Sequence, residues 1–250
     1  MSRIRASPRL VVFVAIIIAF YCVRLVWRSA TGRRWVFRNL SRAVARLVGM
    51  RICVEGRAPS PPFLLVCNHL GYADIVLLAS QLDCVFVAKQ DVRSWPVLGL
   101  IIEQMDTIFV DRADRRDVTR VNEQMKRALE AGDGVVLFAE GTSSSGERVL
   151  PLKPSLLELA AQKGLPVSYA SISYGVPAGA PPAHESVCWW GDMTFANHFF
   201  ELLELPWFEA RIVFGSGAVR ETDRKELARR LHENIAKQFT PLAASPTEDQ

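Results

Sequence analysis

Acidic residues are almost missing from the first part of the chain. Between Arg3 and Arg57 the only one is Glu55, while arginine recurs throughout. The net charge of +4 over 250 residues is therefore concentrated there, and the remainder is close to neutral or slightly acidic. A basic, apolar stretch on a balanced body points to a membrane surface more than to nucleic acid. No aromatic-basic RNA motif occurs, so no nucleic-acid partner is expected. Cysteine pairing is missing too. Cys22, Cys53, Cys67, Cys84 and Cys188 are odd in number and form no CxxC. That argues against a disulfide framework and fits a reducing compartment. With neither HExxH nor paired CxxC, zinc is not expected, and no GxSxG elbow marks a serine hydrolase.

Half of the residues are hydrophobic, and the apolar run LVVFVAIIIAFYCV, Leu10–Val23, carries no charge. A spanning helix needs roughly 20 residues, so this run is borderline. Arg24 lies near its end, placed to snorkel to the headgroups. Arg3, Arg5 and Arg9 resemble the basic start of a signal peptide, but Arg28, Arg33 and Arg34 follow in place of a small-residue cleavage site. The arginines are denser after the run, and the positive-inside rule then keeps the body cytoplasmic. Next, Val36, Phe37, Leu40, Val44, Leu47 and Val48 repeat at helical spacing within Arg33–Met50, with Arg34, Arg38, Arg42 and Arg46 opposite. This basic amphipathic helix suits either an anionic membrane interface or packing on the domain.

One domain with a sizeable core is expected. Residues 1–50 read as membrane anchor and basic helix, 51–240 as the body and 241–250 as a flexible tail. Short β-rich runs occur at Phe63–Cys67, Cys84–Ala88, Thr107–Asp111, Val135–Ala139, Val167–Ile172 and Arg211–Phe214. Helical patterns alternate with them at Asp114–Ala131, ended by Gly132; at Ser155–Lys163, ended by Gly164; and at Thr222–Phe239, with Thr222 as the N-cap. The alternation predicts an α/β fold, a mixed central sheet flanked by helices.

Three stretches carry candidate chemistry. In CNHLGYAD, Asn68 and His69 follow the strand Phe63–Cys67, Gly71 permits a tight turn, and Asp74 falls in the first turn of a helix. Chemistry in open α/β sheets collects at such carboxyl ends. Asp74 can fix the imidazole tautomer, leaving the other nitrogen to take a proton from an alcohol. Alternatively, the pair is a hydrogen-bonded strand end and an N-cap aspartate. In DTIFVDR, Arg112 can clamp an anionic headgroup or form a surface ion pair. In LFAEGTSSSGER, Glu140 follows a strand, Gly141 allows close backbone approach, and Thr142–Ser145 offer hydroxyls. Glu147-Arg148 stands where a phosphate loop needs Lys-Ser/Thr, so a P-loop is rejected.

In this order and at these distances, NHxxxxD, IFVDR, FxEGT and GLPV (Gly164–Val167) resemble the four motifs of the PlsC-like lysophospholipid acyltransferases over roughly Arg51–Phe214. The resemblance implies a glycerolipid acyltransferase fold and His69 and Asp74 as the catalytic pair. It implies Arg112, Glu140, Gly141 and Thr142 in substrate binding. It also implies acyl transfer from an acyl carrier protein or CoA thioester to a lysolipid hydroxyl at a membrane, with no metal or resident cofactor. Backbone amides around Leu70–Tyr72 are candidates for stabilising the oxyanion.

The third motif departs from the usual FPEGTRS. Ala139 replaces the proline, and Ser143 replaces the arginine that grips phosphate. EGTSS with VLPLKPSLLELA, and the later CWWGDMTFANHFFELLEL, resemble bacterial lyso-ornithine lipid acyltransferases instead. Lys153 or Arg112 still offers a phosphate contact, which keeps 1-acyl-glycerol-3-phosphate as the alternative acceptor. Two other classes compete: a scaffold that has lost catalysis, and a hydrolase using the same pair on water. The Trp189–Phe208 aromatics suit an acyl groove, an interfacial belt or an ordinary core.

Overall fold

The computed structural model describes residues 5–94, 98–111 and 117–242. The chain begins with α1 (Ala6–Val26) and α2 (Ala30–Leu47), then β1 (Met50–Glu55), β2 (Phe63–Cys67), α3 (Tyr72–Gln81) and β3 (Cys84–Lys89). A short α4 (Leu98–Gln104) leads to β4 (Ile108–Val110), α5 (Asp117–Glu130) and β5 (Gly134–Leu137). A 3-10 turn at Pro154–Leu157 precedes α6 (Glu158–Lys163), β6 (Val167–Gly175) and the single-turn α7 (Ala183–Ser186). The described part closes with α8 (Phe195–Glu204), β7 (Phe208–Phe214) and α9 (Arg224–Gln238).

Among the described residues, the strands form one seven-stranded sheet in the order β1-β7-β6-β2-β5-β3-β4. β6 and β7 pair antiparallel; the other neighbours are parallel. The expected mixed sheet is therefore observed. All five residues of β2 are buried, as a central parallel strand covered on both faces requires. Leu65 and Cys67 face α1, α2, α3 and α8, while Leu64 and Val66 face α5, α6 and α9. Each fully buried aliphatic side chain in these layers contributes about 1.5–3 kcal/mol relative to exposure.

The chain breaks its helices where the glycines predict. Gly132 (φ 80°) follows α5, and Gly164 (φ 57°) is the left-handed cap of α6. Other boundaries differ. Thr222 is not the cap of α9: Asp223 is, its carboxylate accepting the Lys225 and Glu226 amides at 2.8 Å each. Residues 114–116, which open the predicted Asp114–Ala131 helix, lie outside the described residues. The tail is tied down at its start, because the Leu242 amide donates to the Gly146 carbonyl at 2.9 Å.

Four arginines of α2, Arg33, Arg34, Arg38 and Arg42, reach the domain. Arg33 bonds Asp133 at 2.7 Å and Asp106 at 2.8 Å, and Arg34 bonds Asp133 at 2.8 Å. Arg38 reaches Asp83 at 3.0 Å, and Arg42 donates to the Ser80 carbonyl at 3.1 Å. Of the two sequence readings, these contacts favour packing on the domain. The change of composition at residue 50 is not a break in packing, since α1 and α2 share one core with the sheet.

In α1, half-buried Leu10, Phe13, Ile16, Ile17 and Phe20 repeat at helical spacing and pack on that core. Phe13 meets Phe199 of α8 at 4.9 Å between ring centroids. Arg9 donates to the carbonyls of Leu203 (2.9 Å) and Leu205 (2.6 Å), closing the C-terminal end of α8. Arg24 does not snorkel outward: it is buried and donates to the Gln104 carbonyl at 3.3 Å. The other side of α1, with Val11, Val12, Val14 and Ile18, is exposed. By length and composition α1 suffices to cross a membrane.

Candidate active site

β2 delivers the site. Just past its last residue, buried Asn68 bridges to β6: its Nδ2 donates to the Ile172 carbonyl at 2.9 Å, and the Ile172 amide donates to its Oδ1 at 2.7 Å. That bridge fixes the backbone from which His69 projects. Gly71 then starts α3 at φ 152°, where a Cβ would stand 2.7 Å from the Trp189 amide nitrogen. Only glycine fits the turn.

The turn brings His69 and Asp74 together, with Nδ1 2.8 Å from Asp74 Oδ2. Asp74 is fully buried and sits in the first turn of α3 rather than at its cap. Its Oδ2 also accepts the amides of Leu70 at 2.7 Å and Gly71 at 3.1 Å, and its Oδ1 accepts the Tyr174 hydroxyl at 2.6 Å. A carboxylate so surrounded by donors makes Nδ1 of His69 a donor as well. Nε2, on the opposite edge of the ring, is left as the basic nitrogen. Burial, with Asp74 alongside, holds the Tyr174 phenol well above its ordinary range, so it remains a donor. Phe138 stacks on His69 with centroids 4.0 Å apart and planes 21° from parallel. Of the Leu70–Tyr72 amides expected to stabilise an oxyanion, those of Leu70 and Gly71 already bond Asp74.

Glu140 stands behind the histidine. It is 2 % exposed, and its carboxylate accepts the His69 amide at 3.3 Å and the Leu150 amide at 3.1 Å. Burial pushes its pKa up to about 8, while the two amides pull the other way. Gly141 is buried under the Lys153 side chain, whose Nζ would lie 2.8 Å from an added Cβ. Thr142 is exposed and shares a cavity wall with His69, Gly141 and Ser143. Arg112 lies outside the described residues. Sequence reasoning missed Tyr174, whose partner Asp74 is a hundred positions away, and the stacking of Phe138.

The cavity has a volume of about 530 Å³ and lies between α2, α3 and α8. Phe37, Leu40, Val44, Ile75 and Phe199 give it an apolar wall, and the loops after β2 and β5 give it a polar end. That volume lies in the range of small-ligand sites. The site thus sets an oriented imidazole at the polar end of an apolar cavity.

The family described as Acyltransferase matches residues 51–173, a segment that contains His69, Asp74 and Glu140. The chain is 33 % identical to the lyso-ornithine lipid O-acyltransferase of Rhizobium meliloti, across 95 % of this chain and 86 % of that one. It is 28 % identical to the 1-acyl-sn-glycerol-3-phosphate acyltransferase of Neisseria meningitidis, across 79 % and 78 %. The crystal structure of the acyltransferase PlsC from Thermotoga maritima shares the fold, with a TM-score of 0.60 and 19 % identity over 92 % of this chain and 97 % of that one. The protein belongs to the acyltransferase family. It is an acyl-transferring enzyme acting on a lysolipid.

Proposed function

We propose that the protein moves a fatty acyl group from an acyl carrier protein or CoA thioester to the hydroxyl of lyso-ornithine lipid, with His69 and Asp74 as the catalytic pair. The observation that carries this reading is the 2.8 Å His69–Asp74 bond at the polar end of an apolar cavity. Nε2 of His69 takes the proton of the acceptor hydroxyl as its oxygen attacks the thioester carbonyl. Asp74 stabilises the imidazolium formed. The tetrahedral intermediate collapses, the C–S bond breaks, and the proton passes from His69 to the leaving thiolate. Ester and free thiol are the products, and every atom is accounted for without an acyl-enzyme.

Thr142, Gly141 and Lys153 would meet the acceptor's polar part, with Arg112 in the same role; Glu140 would act from behind, through the His69 backbone. The acceptor assignment is supported by the Rhizobium relative and by Ser143, which offers no cation for a phosphate. The exposed apolar side of α1 would sit in the cytoplasmic leaflet of a bacterial inner membrane, so that residues 1–50 anchor the body.

The test is acyl transfer by detergent-purified protein from an acyl carrier protein thioester, with lyso-ornithine lipid and lysophosphatidic acid compared. Transfer to the ornithine lipid, lost in His69→Ala, is expected. Preference for lysophosphatidic acid would replace the acceptor, and transfer surviving His69→Ala would overturn the mechanism. Thioester loss without an acceptor would indicate hydrolysis.

A further inference from the structure

One polar pair, joining α3 to the aromatic segment after β6, has no part in the chemistry above. His198 of α8 is 3 % exposed, and its Nδ1 lies 2.7 Å from the Tyr72 hydroxyl. Tyr72 opens α3, three positions after His69, and its ring lines the apolar cavity. Around that ring stand Phe195 at 5.2 Å, Phe199 at 6.2 Å and Trp189 at 6.3 Å, centroid to centroid. His198 is behind the wall, not among the residues that line it.

Burial lowers the pKa of His198, with the Cys188 backbone acting in the opposite sense. The neutral ring accepts the Tyr72 O–H at Nδ1 and carries its proton on Nε2, which is buried without a well-formed hydrogen bond. Leucine or phenylalanine would fill the same packing without burying a poorly bonded donor. What those residues cannot supply is an acceptor for Tyr72. The tether removes the rotational freedom of a ring that forms part of the cavity wall beside the reacting histidine.

We infer that His198 is a positioning residue which sets acyl-chain selectivity through Tyr72: the 2.7 Å tether holds the phenol ring across the cavity and fixes its width next to His69. This rests on the acyl-transfer reading above. Released from the tether, the ring samples other rotamers, and chains that the fixed wall excludes are admitted.

The experiment measures kcat/KM for a graded series of straight and branched acyl carrier protein thioesters with one lysolipid acceptor. Tyr72→Phe keeps the ring and removes the tether. It is expected to lower the ratio between best and poorest chains about 3–10-fold, as expected for one lost hydrogen bond. His198→Asn, whose amide oxygen replaces Nδ1 as acceptor, should keep the wild-type ratio, whereas His198→Leu should lose it. The double variant Tyr72→Phe with His198→Leu should be no less selective than either alone, because the two side chains act as one unit. A profile unchanged in Tyr72→Phe, or one that falls by the same factor for every chain, would overturn the inference. Tyr72→Phe decides the matter even if His198→Leu does not fold. Wild-type protein that acylates no lysolipid would instead remove the function reading itself, a result distinguishable from the others.

Discussion

Asp74 accepts one hydrogen bond from His69 and three from groups that move no proton: Leu70, Gly71 and Tyr174. The residue therefore holds the turn as well as the imidazole. In Asp74→Asn, the amide nitrogen must face at least one of these donors, and the negative charge beside the imidazole is lost whichever way the amide lies. A fall in kcat of roughly 10³–10⁴ is expected, with a smaller change in KM. Steady-state kinetics check this; a loss under about tenfold would show that His69 works without its partner. Glu140 gives a prediction about stability. Its pKa is raised to about 8 from 4.5, so the folded state holds a proton that the unfolded state has released. Its contribution is fully present below pH 4.5 and is lost as pH rises through 8. Urea midpoints should therefore fall across that window, and Glu140→Gln should flatten the slope; parallel slopes would refute the assignment. At this scale the sequence reveals His69 and Asp74 because they are close in the chain, within one turn. It conceals the Asn68–Ile172 bridge and the Tyr174 contact, since nothing local to either residue names a partner about a hundred positions away.

Among the elements, the arginine stripe of α2 shows what periodicity can and cannot tell. The four-residue repeat announces a helix with a basic side, but Asp83 and Asp133, which receive it, belong to loops far along the chain. Arg33 and Asp133 have side chains 4 % and 5 % exposed, so this is a buried pair. Asp133→Ala would leave Arg33 with only the exposed Asp106 and take from Arg34 its carboxylate partner, at a cost of up to about 3–5 kcal/mol measurable by urea unfolding. Pairing it with Arg33→Leu should recover part of that loss, because the remaining buried charge is gone. No recovery would mean that the carboxylate acts alone. Strand β1 was illegible for a related reason. It is an edge strand whose Arg51, Val54 and Glu55 are not buried, so neither clean alternation nor an apolar run marks it. Central β2, buried throughout, was legible at once.

For the whole molecule, α1 has two opposed apolar sides, one packed on the core and one bare. Val14 and Ile18 are 47 % and 57 % exposed. Replacing both with glutamate should move the protein off lipid vesicles in a flotation assay without changing the urea midpoint, since neither packs on the core. Phe13→Glu, on the packed side, should instead lower the midpoint. Retention of the double variant on vesicles would show that another surface makes the lipid contact.

The sheet order has a further consequence, for the order in which the protein can assemble during synthesis. β1 pairs with β7, Met50 opposite Phe208, and α1 docks on α8 through Phe13 and Arg9. Both early elements thus wait for partners near the other end of the chain. At ordinary translation rates of about 5–20 residues per second, that wait is on the order of ten seconds or more. Non-local pairing of this kind also folds slowly once the partners exist. The most apolar helix therefore leaves the ribosome well before the helix that covers it.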